Sequence, residues 1–105
     1  MDLKELTQKM NDLVRHHGWY ESDSPKQQTA RNLAISLSLE ASEVLEHFQW
    51  SPETSDPEAL RGELADVALY LLQLASVAEI DLEKAILDKI EANWDRTWSE
   101  ERDPA

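Results

Sequence analysis

The chain has 105 residues and no cysteine, and its 22 acidic residues against 10 lysines and arginines give a net charge of -12. The length predicts a single domain over residues 1–105. The missing cysteines exclude disulfides and thiolate metal sites, and the negative charge argues against binding of a nucleic-acid polymer, whose phosphates are bound by lysine and arginine.

The start of the chain, MDLKELTQKMND, is charged and amphipathic and lacks the apolar stretch of a signal peptide. We therefore expect a cytoplasmic protein. The longest apolar-rich run, residues 64–78, is too short to span a bilayer and contains Asp66 and Gln73. This run predicts a buried helix and no membrane association.

Four helices are predicted, because glycine and proline are rare and no segment alternates like a strand. In chain order they cover residues 3–17, 29–49, 57–78 and 82–98. Gly18 ends the first helix and Pro52 the second. Asp56 and Pro57 have the residue types of an N-cap and a first helical position, and Asp81 has that of the fourth N-cap. The fold class is therefore all-α.

Two acidic pairs lie in the second and third predicted helices. Glu40 and Glu43, like Glu63 and Asp66, are three residues apart, which places each pair on adjacent turns about 5 to 6 Å apart at Cβ. Apolar residues flank both pairs, and no lysine or arginine occurs between Gly62 and Ala78. A buried carboxylate needs a partner or a proton. All-oxygen ligands suit hard cations, so we predict an Mg²⁺ site and a phosphate-containing substrate.

Solvation of two surface helices is the alternative explanation for these acids. It is the usual one for a single pair, but two pairs on neighbouring helices joined by a short connector favour the metal site. Glu46 extends the first pair by one turn, and either a ligand role or a solvated position fits it.

The segments LSLEASEVLEHFQW at 37–50 and ELADVALYLLQLA at 63–75 resemble the paired acidic helices of a known family. This is the MazG-like branch of the all-alpha nucleoside triphosphate pyrophosphatases, which includes the dCTP pyrophosphatases. The resemblance implies a four-helix bundle completed by oligomerisation to a homodimer or homotetramer. It also implies hydrolysis of a (deoxy)nucleoside triphosphate to the monophosphate and pyrophosphate, with house-cleaning of the nucleotide pool as a role.

The same resemblance implies that the four acids hold Mg²⁺, with Mn²⁺ as a substitute, and that they carry catalysis. The residues concerned are Glu40, Glu43, Glu63 and Asp66. Six further residues are predicted to bind substrate: Trp19, Trp50, Tyr70, Lys89, Asn93 and Arg96. The two tryptophans would stack on the base, and the residues of the fourth helix would meet the triphosphate. For Trp50 a role as a hydrophobic plug, and for Arg96 simple solvation, are the alternatives.

Two departures from the family pattern limit what can be transferred. Leu39 stands where many relatives have a second glutamate, and the segment SPKQQT at 24–29 differs from the histidine-containing loop of dCTP pyrophosphatases. The preferred base is therefore not predicted. Lys26, Gln28 and Asn32 are candidates for substrate contacts in this loop region.

Two other functions compete with the enzyme. A carboxylate-bridged di-iron bundle would need Glu-x-x-His motifs, which do not accompany these acidic pairs. A non-enzymatic helical interaction module would use the apolar helices as its interface and the acids as a solvated rim. Substitution of the acids distinguishes this module from the enzyme.

Overall fold

The computed structural model describes residues 1–94, which form four α-helices connected by turns and loops. Helix α1 spans Leu3–His16, α2 spans Ala30–Glu46, α3 spans Pro57–Val77 and α4 spans Leu82–Trp94. The all-α prediction is confirmed. None of the helices in the described part of the chain is long and apolar enough to cross a membrane.

Polar side chains begin the helices where the sequence predicted. The Asp2 side chain accepts a hydrogen bond from the Glu5 amide, Thr29 Oγ1 accepts one from the Asn32 amide, and Asp56 Oδ1 accepts one from the Ala59 amide. Asp81 Oδ1 likewise accepts the amide of Lys84 at 3.1 Å. Each cap satisfies a backbone donor that the first helical turn leaves without a partner.

A residue in the left-handed conformation follows each of helices α1 and α3. Its amide and the amide of the next residue both donate hydrogen bonds to carbonyls of the last helical turn. Gly18, at φ 70°, ends the first with bonds from its own amide to Arg15 and from Trp19 to Val14. Glu79, at φ 58°, occupies the same position after α3. This closure satisfies terminal carbonyls and normally uses glycine at the left-handed residue.

Helix α2 is shorter than predicted, because it ends at Glu46 rather than at residue 49. The amides of His47 and Phe48 bond to carbonyls three residues back, which tightens the last turn. The His47 ring contacts the hydroxyl of Thr54 in the connector between α2 and α3. Trp50 therefore lies outside the helix. The predicted end of α4 at residue 98 falls outside the described residues.

Helices α2 and α3 pack along their length and run antiparallel, since His47 at the end of α2 meets Glu63 near the start of α3, and Gln28 before α2 meets Gln73 late in α3. A small core of Met10, Val14 and Leu72 joins α1 to α3, and Leu33 of α2 is fully buried. Helix α4 has its main packing against α1.

The prediction that α3 is buried all round does not hold for the single chain. Only Leu72, Gln73 and Ala75 of this helix are buried, whereas Leu64 is 52 % exposed. Most of the large apolar side chains of α4 are exposed as well. One chain alone therefore leaves much of its apolar surface in water.

Candidate active site

The two acidic pairs lie opposite each other between α2 and α3. Glu40 and Glu43 occupy adjacent turns of α2, and Glu63 and Asp66 occupy adjacent turns of α3. All three of the other carboxylates are close enough to Glu40 to act on its ionisation. The packing of α2 against α3 thus brings together the four residues that the sequence selected.

Burial raises the pKa of Glu40 above its ordinary value of 4.5, and the nearby Glu43 side chain adds to this effect. The negative charges of Glu43, Asp66 and Glu63 raise the same pKa further. The Oε2 atom of Glu40 is buried and has no hydrogen-bond partner among residues 1–94. A buried oxygen without a donor is costly, so the site favours a positive charge at this point.

The donor set fits a hard divalent cation. It consists of carboxylate oxygens only, and within residues 1–94 no lysine or arginine forms an ion pair with any of the four acids. No three acidic or histidine side chains of the described region stand close enough to hold an ion together. Three direct protein ligands would thus require side-chain rotation, whereas Mg²⁺ commonly takes one or two carboxylates and keeps its waters.

His47 was given no role by the sequence, and the structure places it against the acids. Its Nε2 lies within ion-pairing distance of Glu63 Oε2, a buried oxygen that has no hydrogen-bond partner in the described part of the chain. Its Nδ1 lies 2.6 Å from Thr54 Oγ1. The sequence signal was weak, because His47 is separated from Glu63 by 15 residues and a connector of unknown course.

A cavity of about 460 Å³ opens beside the acids, between α1, α2, α3 and the loop that precedes α2. Asp66 belongs both to the acidic group and to the wall of this cavity. The wall combines apolar and polar side chains, among them Met10, Leu33, Leu69, Asn32, Ser36 and Gln73. Such a mixture of apolar surface and few polar groups is typical of a small-molecule site.

The loop at 24–29 is held in place at the cavity. Ser24 is buried, and its hydroxyl accepts a hydrogen bond from the Lys26 amide at 3.0 Å. Gln28 Oε1 accepts a 2.6 Å bond from Nε2 of the buried Gln73 on α3. The Lys26 ammonium lies 5.3 Å from the centre of the Trp19 ring. Lys26, Gln28 and Asn32 all line the cavity, and their contacts with substrate stay a prediction.

The six predicted substrate-binding residues occupy different places. Trp19 and Tyr70 line the cavity, and Tyr70 follows Asp66 by one turn. Trp50 is 89 % exposed and is not part of the cavity wall. Lys89 and Asn93 are exposed on α4, away from this cavity. Arg96 lies outside the described residues. The substrate-binding roles of all six residues stay predictions.

Comparison with known proteins gives the same family by three routes. The sequence profile of the MazG-like family matches residues 35–103. The chain is 32 % identical over 98 residues to dCTP pyrophosphatase 1 of Mus musculus, an alignment that covers 83 % of this chain and 58 % of the mouse protein. It is 34 % identical over 95 residues to dCTP pyrophosphatase 1 of Homo sapiens, covering 80 % and 56 %.

A solved structure shares the fold. The crystal structure of a pyrophosphatase from Archaeoglobus fulgidus superposes with a TM-score of 0.68 at 37 % identity, covering 86 % of each chain. The two mammalian proteins are longer, and this chain spans less than two thirds of their length. The profile match includes all four acids of the site.

Proposed function

The chain belongs to the MazG-like family, and from this premise we propose that it is an enzyme that hydrolyses (deoxy)nucleoside triphosphates to the monophosphate and pyrophosphate. One observation carries the proposal. Asp66 joins an acidic group, in which Glu40 has a buried oxygen without a donor, to a cavity of about 460 Å³. Acids and cavity together accommodate the two parts of a nucleotide, its phosphates and its nucleoside.

Mg²⁺ is the cation proposed for the site, with Glu40, Glu43, Glu63 and Asp66 as the residues that would hold it. When bound, Mg²⁺ supplies positive charge that polarises the phosphoryl oxygens and lowers the pKa of a bound water. Mn²⁺ has the same preference for oxygen ligands and is expected to substitute.

The protein side chains would orient the substrate around these acids. The cavity receives the base and sugar, where Trp19 offers an aromatic surface and Tyr70 a hydroxyl group. Lys26 brings a positive charge to the same wall. The bond cleaved would lie between the α and β phosphates, as the family resemblance implies. The same carboxylates would also orient the water for the attack.

The substrate class rests on the relatives as well as on the site. The mammalian relatives are dCTP pyrophosphatases and the archaeal protein is a pyrophosphatase. Residues of the 24–29 loop line the cavity. We therefore propose that this loop determines which base the protein prefers. Removal of unwanted nucleotides from the pool in the cytoplasm is the proposed role.

The decisive experiment is incubation of the purified protein with each standard and several modified nucleoside triphosphates, with and without Mg²⁺. Release of pyrophosphate and monophosphate that depends on Mg²⁺ would support the proposal and rank the bases. The variants Glu63→Gln and Asp66→Asn should lose turnover and keep their helical circular dichroism. A folded, Mg²⁺-loaded protein that cleaves no triphosphate would overturn the proposal and favour a helical interaction module.

Self-association is part of the proposal, since the family resemblance implies a dimer or tetramer. Exposed apolar side chains on α4, such as Ile86, Leu87 and Ile90, support it. Sedimentation equilibrium should give a mass of at least two 12.0 kDa chains. The double variant Ile86→Ser/Ile90→Ser should shift the distribution toward smaller species, and Glu83→Ser on the same helix serves as its control. A monomeric wild type would contradict this part.

A further inference from the structure

The imidazole of His47 has both of its nitrogens occupied by groups from different parts of the chain. Nε2 faces Glu63 Oε2 on α3, and Nδ1 lies 2.6 Å from the hydroxyl of Thr54 in the connector. Only 12 % of the His47 side chain and 25 % of the Glu63 side chain are exposed. Water therefore has limited access to this pair, and the orientation of each side chain depends on the other.

The contacts continue from Thr54 to the beginning of α3. Thr54 Oγ1 accepts a 3.1 Å hydrogen bond from the Asp56 amide, and Asp56 is the N-cap of α3 through its bond with the Ala59 amide. A chain of hydrogen bonds thus begins at the α3 N-cap, passes through the threonine hydroxyl and ends on the imidazole of His47, whose Nε2 lies within ion-pairing distance of the Glu63 carboxylate. The first donor of this chain, the Asp56 amide, is held in place because Asp56 caps α3.

The direction of the bonds follows from the chemistry of the groups. An ionised carboxylate only accepts hydrogen bonds, so Nε2 carries the proton that points to Glu63. Because Thr54 Oγ1 already accepts the Asp56 amide, its hydroxyl proton is free to point to Nδ1, which accepts in the neutral ring. In a neutral ring this arrangement favours the tautomer that carries its proton on Nε2.

We propose that His47 is a positioning residue that holds the Glu63 carboxylate in the orientation needed for cation binding, and that Thr54 fixes the tautomer and angle of its ring. The inference rests on the proposed function, because it takes Glu63 as a ligand. Carboxylate ligands are commonly held by hydrogen bonds of this kind, and loss of such a partner typically weakens metal affinity by about 10- to 100-fold.

Glu63 needs such a partner more than Asp66 does. Its Oε2 is buried, accepts no hydrogen bond in the described region and lies within ion-pairing distance of the His47 imidazole, whereas Asp66 is exposed. Without the imidazole, the Glu63 side chain would be free to rotate away from the negative charges of the other acids. His47 therefore restricts this carboxylate in a way that the acids cannot achieve by themselves.

The competing role for His47 is direct coordination of the cation by one of its ring nitrogens. The contacts disfavour it, because each ring nitrogen already faces a protein oxygen. Coordination would require the ring to leave either Glu63 or Thr54. The two roles differ in a measurable way, since only a positioning role can be replaced by an amide that donates a hydrogen bond but binds metals poorly.

The test measures Mn²⁺ affinity of the 105-residue chain by electron paramagnetic resonance, without nucleotide, so that activity is not the readout. Five variants are compared with the wild type: His47→Leu, His47→Gln, Thr54→Val, Thr54→Ser and Glu63→Gln. His16→Gln is the matched control, because His16 is an exposed histidine near the end of α1. Melting temperatures are recorded for every variant.

His47→Leu should raise the Mn²⁺ dissociation constant about tenfold or more. His47→Gln should recover most of the affinity, since its amide nitrogen can donate from nearly the same place. Thr54→Val should weaken binding less than His47→Leu, and Thr54→Ser should be close to wild type. In wild type, nitrogen-15 spectra of the His47 ring should show the Nε2–H tautomer.

Two outcomes would overturn the inference and spare the proposed function. One is wild-type Mn²⁺ affinity in His47→Leu while Glu63→Gln loses it. The other is an equal loss of affinity in His47→Gln and His47→Leu, which would point to coordination by the ring. If the wild type binds no Mn²⁺, or Glu63→Gln binds it normally, the proposed metal site fails and the role of His47 fails with it.

Discussion

The buried amide of Gln73 on α3 donates a 2.6 Å hydrogen bond to Gln28, which stands 45 residues earlier in the loop before α2. This bond ties the 24–29 loop to the helix that carries Glu63 and Asp66. Both glutamines line the cavity. The loop that departs most from the family pattern is thereby fixed beside the acidic group.

Replacement of Gln73 by leucine should weaken substrate binding more than it slows the chemical step. The variant keeps the side-chain volume roughly but leaves Gln28 without its donor, and a neutral hydrogen bond contributes about 0.5–1.5 kcal/mol. We expect KM for the triphosphate to rise about three- to tenfold at nearly constant kcat. Steady-state kinetics with saturating Mg²⁺ measures both constants.

Gln8→Leu is the control for this variant, because Gln8 is exposed on α1 and does not line the cavity. It should leave KM unchanged. An unchanged KM in Gln73→Leu would show that the loop does not need this bond to bind substrate. A fall in kcat at constant KM would instead place Gln73 among the residues that act on the transition state.

The helices and the four acids could be read from the sequence because both follow from local rules. Caps such as Asp56 and the spacing of Glu63 and Asp66 depend on residues within one or two turns. The end of α2 was placed three residues too late, because its last turn is decided by contacts of His47 with Thr54 and Glu63. Those contacts depend on how the connector folds.

The cavity was only partly predictable for a related reason. Trp19 and Tyr70 were selected by resemblance and do line it, whereas Gln73 was read as one polar residue in a buried helix. Its role depends on a partner 45 residues away, and no periodicity within one helix contains that information. The position of α4 relative to the acids is likewise a property of packing.

Glu40→Gln should stabilise the metal-free protein at neutral pH. Burial and the neighbouring carboxylates raise the pKa of Glu40, so its ionised form costs stability in the folded state. The stability that a protonated Glu40 retains is fully present below its unfolded pKa and is lost as pH rises through the raised folded pKa. The glutamine side chain of the variant is neutral at every pH, so the variant does not lose this stability as pH rises.

The measurement is a set of thermal melts in chelator from pH 4 to pH 8. The variant should melt a few degrees above the wild type at pH 7, and the difference should shrink toward zero as pH falls to the unfolded pKa. Glu91→Gln, at an exposed position on α4, removes the same charge and should show little of this dependence. A constant difference across the whole range would contradict the prediction.

Glu79→Gly should stabilise the fold without touching the site. Glu79 has φ 58°, a left-handed conformation that costs a non-glycine residue about 1–2 kcal/mol. Glycine removes this cost but adds about 0.4–1 kcal/mol of unfolded-state entropy. In the middle of these ranges the net gain is about 0.8 kcal/mol, which raises the melting temperature by about 3–6 °C for a domain of this size. Glu79→Ala keeps the strain and should give no rise, and a gain equal to that of glycine would refute the explanation.

Trp19→Leu should weaken nucleotide binding, because Trp19 lines the cavity and presents a large aromatic surface to it. The ring is stacked on His17 at 4.6 Å between centroids, which holds its plane in place. Base stacking on an aromatic side chain contributes about 1–3 kcal/mol, so the dissociation constant should rise about tenfold or more. Calorimetry with a non-hydrolysable triphosphate measures it, and nucleotide should also change the tryptophan fluorescence of the wild type.

Trp50 and Trp94 complete this test, since they are 89 % and 85 % exposed and neither lines the cavity. Trp94→Leu is the control and should bind nucleotide normally. Trp50→Leu examines the other predicted base contact, whose side chain would have to meet the base from outside the cavity of a single chain. Normal binding in Trp19→Leu together with loss in Trp50→Leu would move the base from the cavity to the end of α2. Loss of nucleotide binding in both variants would mean that the base contacts both rings. The cavity would then form only one side of the base-binding site.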